Sequence, residues 1–119
     1  VTRLLTGFRA HLWQRVSAVW LLVYVPLAVA YLAFQPVSSH AALMGVLSQP
    51  LFWVASVLTI GLLAVHAWVG VRDAILDYAP RPRVGLWLMA LATMLAFWVG
   101  FALYAAWRIL VEANEGGLL

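Results

Sequence analysis

Three long apolar runs, residues 13–34, 51–71 and 84–107, alternate along the chain with short polar links. Each meets the roughly 20 residues that a helix needs to cross a hydrocarbon core of about 30 Å. The pattern predicts an all-α protein with three membrane-spanning helices and no separate soluble domain. The first run lies too late, and is too long and too aromatic, for a cleaved leader, and no small-residue cleavage site follows it. The chain opens on Val1 and not on methionine, so a few residues are expected to precede it. Within helix one, Pro26 removes a backbone donor and predicts a bend. Ser17, Tyr24 and Tyr31 recur every seven residues and mark a face expected to turn toward protein.

The link Gln35-Pro36-Val37-Ser38-Ser39-His40 reads as a turn, and the apolar segment 41–47 behind it is too short to span, so it is expected on the surface. Pro50 opens helix two where a missing donor costs nothing. Helix three carries Ala92, Ala96 and Gly100 at intervals of four, a stripe that admits a second backbone at close range. Trp13, Trp53, Trp87 and Trp107 fall near the predicted boundaries, where indole rings favour the membrane interface.

Composition removes the soluble alternative. The 119 residues are 66% hydrophobic and 9% charged, with a mean hydropathy of +1.01, whereas a soluble domain of this size has a large surface to cover with charge. The absence of cysteine excludes disulfides, an iron–sulfur cluster held by this chain and covalent haem attachment. All seven basic residues are arginines, and their placement points to topology and away from nucleic acid. Arg3, Arg9 and Arg15 precede or enter helix one, Arg72, Arg81 and Arg83 flank the link between helices two and three, and Arg108 alone lies at the other end. The positive-inside rule therefore predicts a multi-pass protein of an inner (cytoplasmic) or matrix-facing membrane, with the N-terminus and the 72–83 link cytoplasmic. The 35–50 loop and the C-terminus, with Glu112 and Glu115, are expected on the periplasmic side.

His66 is the exception inside helix two, because an ionisable group in hydrocarbon is costly and tends to mark function. At about 100° per residue, Ser56, Thr59, His66, Gly70, Asp73 and Asp77 fall within a band of about 100° on one helix face. One reading is a histidine hydrogen-bonded to a neighbouring helix. The other is an axial ligand to haem iron, for which neutral imidazole is well suited, with Gly70 one turn away leaving room for a flat macrocycle. His40 lies in the far link and His11 lies before helix one, while His66 sits roughly 9 Å below the charged edge at 1.5 Å per residue. A second histidine ligand is therefore expected from another polypeptide. Asp77 and Tyr78 are either an ordinary polar helix end, or a phenol donating to a quinone carbonyl beside a carboxylate that handles protons. Arg15 is either a topology charge or a fork for a haem propionate. Arg72 competes for that role, and Asp73 beside it is either solvated or locally paired. Pro80-Arg81-Pro82 stiffens the short link, so a site there is expected to be completed by partners.

The pattern His66-x-x-x-Gly70-x-x-x-x-x-x-Asp77-Tyr78, with Arg15-Val16-Ser17-Ala18 at the entry to helix one, resembles the D-type cytochrome b membrane-anchor subunit of succinate dehydrogenase, respiratory complex II. Gly70-Val71-Arg72 also resembles the C-type anchor, in which a histidine follows the arginine. Here Asp73 stands at that position, and Tyr78 follows Asp77 as in the D-type. The resemblance implies that His66 is a metal ligand, binding the iron of haem b shared with a partner C-type anchor. It also implies that Tyr78 contacts ubiquinone with Asp77 close by, and that Arg15 and Arg72 are candidate propionate contacts. It further implies an iron–sulfur subunit and a flavoprotein subunit as partners, which carry the clusters and FAD of this tricarboxylic acid cycle and respiratory-chain enzyme. Such a chain takes no part in succinate chemistry itself and serves electron transport to quinone. Three alternatives stand beside it: a quinol:fumarate reductase anchor, a small haem b carrier formed as a symmetric dimer with two copies of His66, and a haem-free structural subunit.

The topology is open to direct test, because the chain has no native cysteine. Ser39→Cys and Arg83→Cys are expected to label from opposite faces of sealed vesicles with an impermeant thiol reagent. Labelling from one face for both would refute three spans.

Overall fold

The computed structural model describes residues 7–117; Arg3 and the last two residues of the tail lie outside them. It is all-α among the described residues: α1 (Gly7–Ala33), α2 (His40–Leu47), α3 (Pro50–Tyr78), a single 3₁₀ turn (Arg81–Arg83) and α4 (Val84–Glu115). Three helical stretches, Gly7–Ala33, Pro50–Tyr78 and Arg81–Glu115, are long and apolar enough to cross a membrane. Helices of 27, 29 and 32 residues rise about 40–48 Å at 1.5 Å per residue. Each therefore projects beyond a hydrocarbon core of about 30 Å.

The helices outrun the apolar runs that announced them. α3 continues seven residues past Val71, because Arg72, Asp73 and Asp77 end the hydrophobicity and not the helix. It stops where Pro80 forces its predecessor to extend, with Ala79 at ψ 143° and its N–H still bonded to the Ile75 carbonyl at 2.9 Å. α4 likewise runs beyond residue 107 to Glu115 and is closed by Gly116-Gly117, Gly117 taking the left-handed φ of 69° that glycine tolerates best. α1 begins six residues before Trp13 and passes through Pro26 without a break. At the start of α3, Gln49 caps the helix by accepting from the Phe52 N–H at 3.0 Å.

The short apolar segment forms α2. The Ser39 hydroxyl accepts the Ala42 N–H at 3.1 Å, as an N-cap should. Its Met44 is buried, and α2 rests on α4. His40 Nε2 meets Glu112 Oε2 at 2.9 Å, and Arg108 donates to the same carboxylate at 3.3 Å. The segment is therefore tied to α4 at the end opposite most of the arginines.

α3 is the central helix, and α1 and α4 each pack against it. On α1 the residues withdrawn from the outside include Ala10, Gln14, Ser17, Leu21, Tyr24, Ala28 and Tyr31, with Ala18, Trp20 and Leu32 beside them. These steps of four and three give the 3.5-residue period of coiled-coil-like packing. The seam carries its own hydrogen bonds. Tyr24 Oη and Ser56 Oγ are 2.7 Å apart, and Trp20 Nε1 donates to Thr59 Oγ1 at 2.8 Å. Trp20 stacks on Tyr24 and Tyr31 leans on Phe52, with ring centroids 5.4 and 5.1 Å apart. The face marked by Ser17, Tyr24 and Tyr31 does turn toward protein.

Two sequence features gain detail. Trp53 has a partner within the chain: its indole N–H donates to the Ala106 carbonyl of α4 at 2.9 Å, which ties the α3–α4 contact. The stripe Ala92, Ala96 and Gly100 is not covered by the described residues of this chain. All three are exposed, and α4 buries Leu91, Ala106 and Ala113 instead.

The Trp20–Thr59 bond gives a measurable coupling. A double-mutant cycle of Trp20→Phe and Thr59→Val, followed by unfolding in detergent, is expected to show about 0.6 kcal/mol of interaction, within the ~1.7 kcal/mol maximum for such bonds in membranes. Strict additivity would mean that the indole and the hydroxyl do not meet.

Candidate functional site

The polar stripe of α3 divides into two parts. Its half nearer α2 faces α1: Ser56 meets Tyr24, Thr59 meets Trp20, and His66 Nδ1 lies 3.1 Å from Ser17 Oγ. Gly70 continues the same contact, since a Cβ built on it would stand 3.3 Å from Gln14 Nε2. Gly70 is exposed, and the nearest side chain to it across that space is Gln14. The hydrogen bond from His66 to a neighbouring helix, one of the two sequence readings, is present. It occupies one ring nitrogen. Nε2 has no hydrogen-bond partner among the described residues and is not sealed from the outside.

His66 also lines an open groove of about 450 Å³ between α1 and α3, with Ala18, Leu22, Val25 and Leu63 among its apolar walls. Arg15 precedes Ala18 by three residues, and the series Arg15, Ala18, Leu22, Val25 keeps to one face of α1 at helical spacing. Arg15 is exposed and stands on that face one turn toward the arginine-rich end. Arg72 is differently placed. Its Nε and a terminal nitrogen donate to Asp73 Oδ1 at 3.0 and 2.8 Å, and its side chain is only 15% exposed. The local pairing of Asp73 is therefore realised, and Arg72 already holds a carboxylate. Of the two candidate propionate contacts, Arg15 is the exposed one, on the face of α1 that continues to the groove, though it does not line the groove itself.

Asp77 and Tyr78 lie apart from this groove. Both are exposed, Tyr78 at 88%. Twelve residues separate Tyr78 from His66, about 18 Å along the axis and roughly 120° around it. The structure brings His66 together with Ser17 and the Arg15 face, and not with Tyr78. A second apolar recess of about 240 Å³, between α3 and α4 beside Trp53 and Ala106, contains none of the predicted site residues.

The other histidines stay away from His66. His40 is bonded to Glu112 at the far end, and His11 is exposed on α1 six residues before Ser17, about 9 Å along the helix. Among the described residues no group of three or more His, Cys, Asp or Glu side chains is arranged to hold a metal ion. A single imidazole on an apolar groove is a different arrangement. It fits an iron held mainly by a macrocycle, with this chain supplying one axial ligand.

Sequence reasoning did not find the Ser17–His66 pair. Ser17 stood out by its seven-residue repeat, but joining it to a residue 49 positions away needs the register of two antiparallel helices. Gln14 was not singled out either, and its Oε1 is buried without a partner among the described residues. Compared with protein-family profiles, curated proteins and solved structures, the chain matches none.

Proposed function

We propose that this chain is a membrane-anchor subunit of a succinate:ubiquinone oxidoreductase, of the D type, placed in an energy-transducing membrane with its N-terminus and the 72–83 link on the cytoplasmic side. The observation that carries the reading is His66: an imidazole inside an apolar span, one nitrogen engaged by Ser17 and the other open beside an apolar groove. In this proposal His66 contributes one axial ligand to haem b, a partner C-type anchor contributes the second, and Arg15 receives a propionate through its guanidinium fork. Haem, if bound there, would supply a one-electron store within the membrane span.

Tyr78 and Asp77 serve the quinone. Their exposure at the end of α3 suits a site whose remaining walls come from the iron–sulfur and C-type subunits. The phenol O–H donates to a ubiquinone carbonyl and stabilises the negative charge that develops on it, while the adjacent carboxylate handles protons. Succinate oxidation belongs to the flavoprotein partner. A quinol:fumarate reductase anchor would use the same residues with flux reversed. A haem-free structural subunit has one observation in its favour, since Ser56, Thr59 and His66 Nδ1 all find partners on α1.

Purification in mild detergent separates these readings: flavin, iron–sulfur protein and a haem absorbance are expected together, whereas a colourless homodimer would overturn the proposal. Within the assembled complex, His66→Leu is expected to abolish the low-spin bis-histidine haem spectrum. A spectrum identical to wild type would remove His66 from the iron.

Tyr78→Phe deletes one hydroxyl and is expected to leave haem and packing in place. Loss of a transition-state hydrogen bond of about 2–4 kcal/mol corresponds to a fall of about 30- to 1000-fold in quinone reduction. Succinate oxidation with an artificial dye acceptor is expected to stay near normal. Wild-type quinone reduction in the variant would make Tyr78 an interfacial aromatic only.

A further inference from the structure

Ser17 is completely buried, and its hydroxyl has one hydrogen to give. Its Oγ lies 2.7 Å from the Trp13 carbonyl and 3.0 Å from the Gln14 carbonyl of its own helix. Both are acceptors only, and together they take that single hydrogen, as a serine in mid-helix commonly bonds back to the preceding turn. The third neighbour of Oγ is His66 Nδ1 at 3.1 Å. Were that hydrogen turned to Nδ1, Oγ would face two carbonyl oxygens at 2.7 and 3.0 Å with no proton between them; turned to α1, it leaves Oγ to accept from Nδ1.

We infer that Ser17 is a positioning residue that sets the tautomer of His66, holding the proton on Nδ1 and leaving the lone pair on Nε2, the nitrogen open beside the groove. A neutral imidazole has one N–H and one lone pair, and only a nitrogen with a lone pair can bind a metal. Without an acceptor at Nδ1 the ring is free to place its proton on Nε2, which closes the ring to iron. The partner of the non-ligating nitrogen commonly fixes both the tautomer and the orientation of a ligating histidine. Here that partner is a hydroxyl whose polarity is itself fixed by two backbone carbonyls. The tautomer follows from the hydrogen-bond chain alone; its use for iron rests on the function proposed above.

The test needs no haem. In the full chain with ring-¹⁵N-labelled histidine, reconstituted in bilayers on a His11→Gln/His40→Gln background, His66 is the one labelled imidazole. Its spectrum is expected to show Nδ1 protonated and Nε2 unprotonated. Ser17→Ala is expected to give a mixture of tautomers, and Ser17→Thr, which keeps the hydroxyl and its back-bond, to restore the single form. A ring protonated on Nε2 in the wild-type sequence, or an unchanged spectrum in Ser17→Ala, would overturn the inference. In the assembled complex Ser17→Ala is expected to retain haem about 10- to 100-fold more weakly, the usual cost of losing such a partner. Tautomers that respond as stated in a complex that never holds haem would leave the role of Ser17 standing and remove the proposed function.

Discussion

A membrane helix cannot leave a polar group facing hydrocarbon, and that constraint arranges this chain. α3 carries serine, threonine and histidine on one face, and each finds its partner on α1: Ser56 with Tyr24, Thr59 with Trp20, and His66 with Ser17. Lipid provides no hydrophobic drive for helices to associate, so packing and hydrogen bonds must hold the pair together. The partners fall in reverse order along the two helices, Tyr24, Trp20 and Ser17 on α1 meeting Ser56, Thr59 and His66 on α3, because the helices run antiparallel. Slipping the register by one residue would rotate every donor by about 100° away from its acceptor. The polar seam therefore specifies the register, and the register places the imidazole.

The α3–α4 contact is built differently. One tryptophan N–H reaches a carbonyl across it, and the remainder is small and aliphatic side chains around Ala102, Ala106 and Ile109. α4 keeps a second small-residue line, Ala92, Ala96 and Gly100, on its outer face. In each of the three spans only 6% of the most apolar window is buried within the chain. With α3 in the middle and α1 and α4 against it, the open flanks of both contacts are left to lipid or to other helices.

The fold was legible in the sequence because the hydrocarbon core imposes a length and a composition. Its ends were less so. Hydropathy changes at Val71, but the helix continues to Tyr78 because nothing between Arg72 and Tyr78 interrupts its backbone hydrogen bonds, and Pro80 is the physical stop. The Ser17, Tyr24, Tyr31 face could be read from its repeat. What each residue meets could not, since the Trp20–Thr59 and Ser17–His66 pairs depend on the alignment of segments dozens of residues apart. Trp53 shows the same limit. An indole near a boundary satisfies its N–H equally well at the interface or on a carbonyl of the next helix, and only packing chose Ala106. For the site, His66 was visible as an anomaly of composition, whereas its separation in angle from Tyr78 needed the helix to be continuous through residues 66–78.

The rule that seals the seam also marks where it is incomplete. Ser56, Thr59 and the Nδ1 edge of His66 are all satisfied, but among the described residues Nε2 is not. A polar atom without a hydrogen-bond partner in an apolar setting costs about 1–3 kcal/mol by the measure of protein mutants. That cost remains as long as lipid is the only neighbour. It is removed by a metal, a donor or a polar group on another chain. The apolar walls of the groove next to it incur no such penalty, because lipid is as good a neighbour for leucine as protein is. Energetically, then, the apolar walls select no occupant by themselves; His66, the one ionisable side chain among the residues that line the groove, is the group an occupant has to meet.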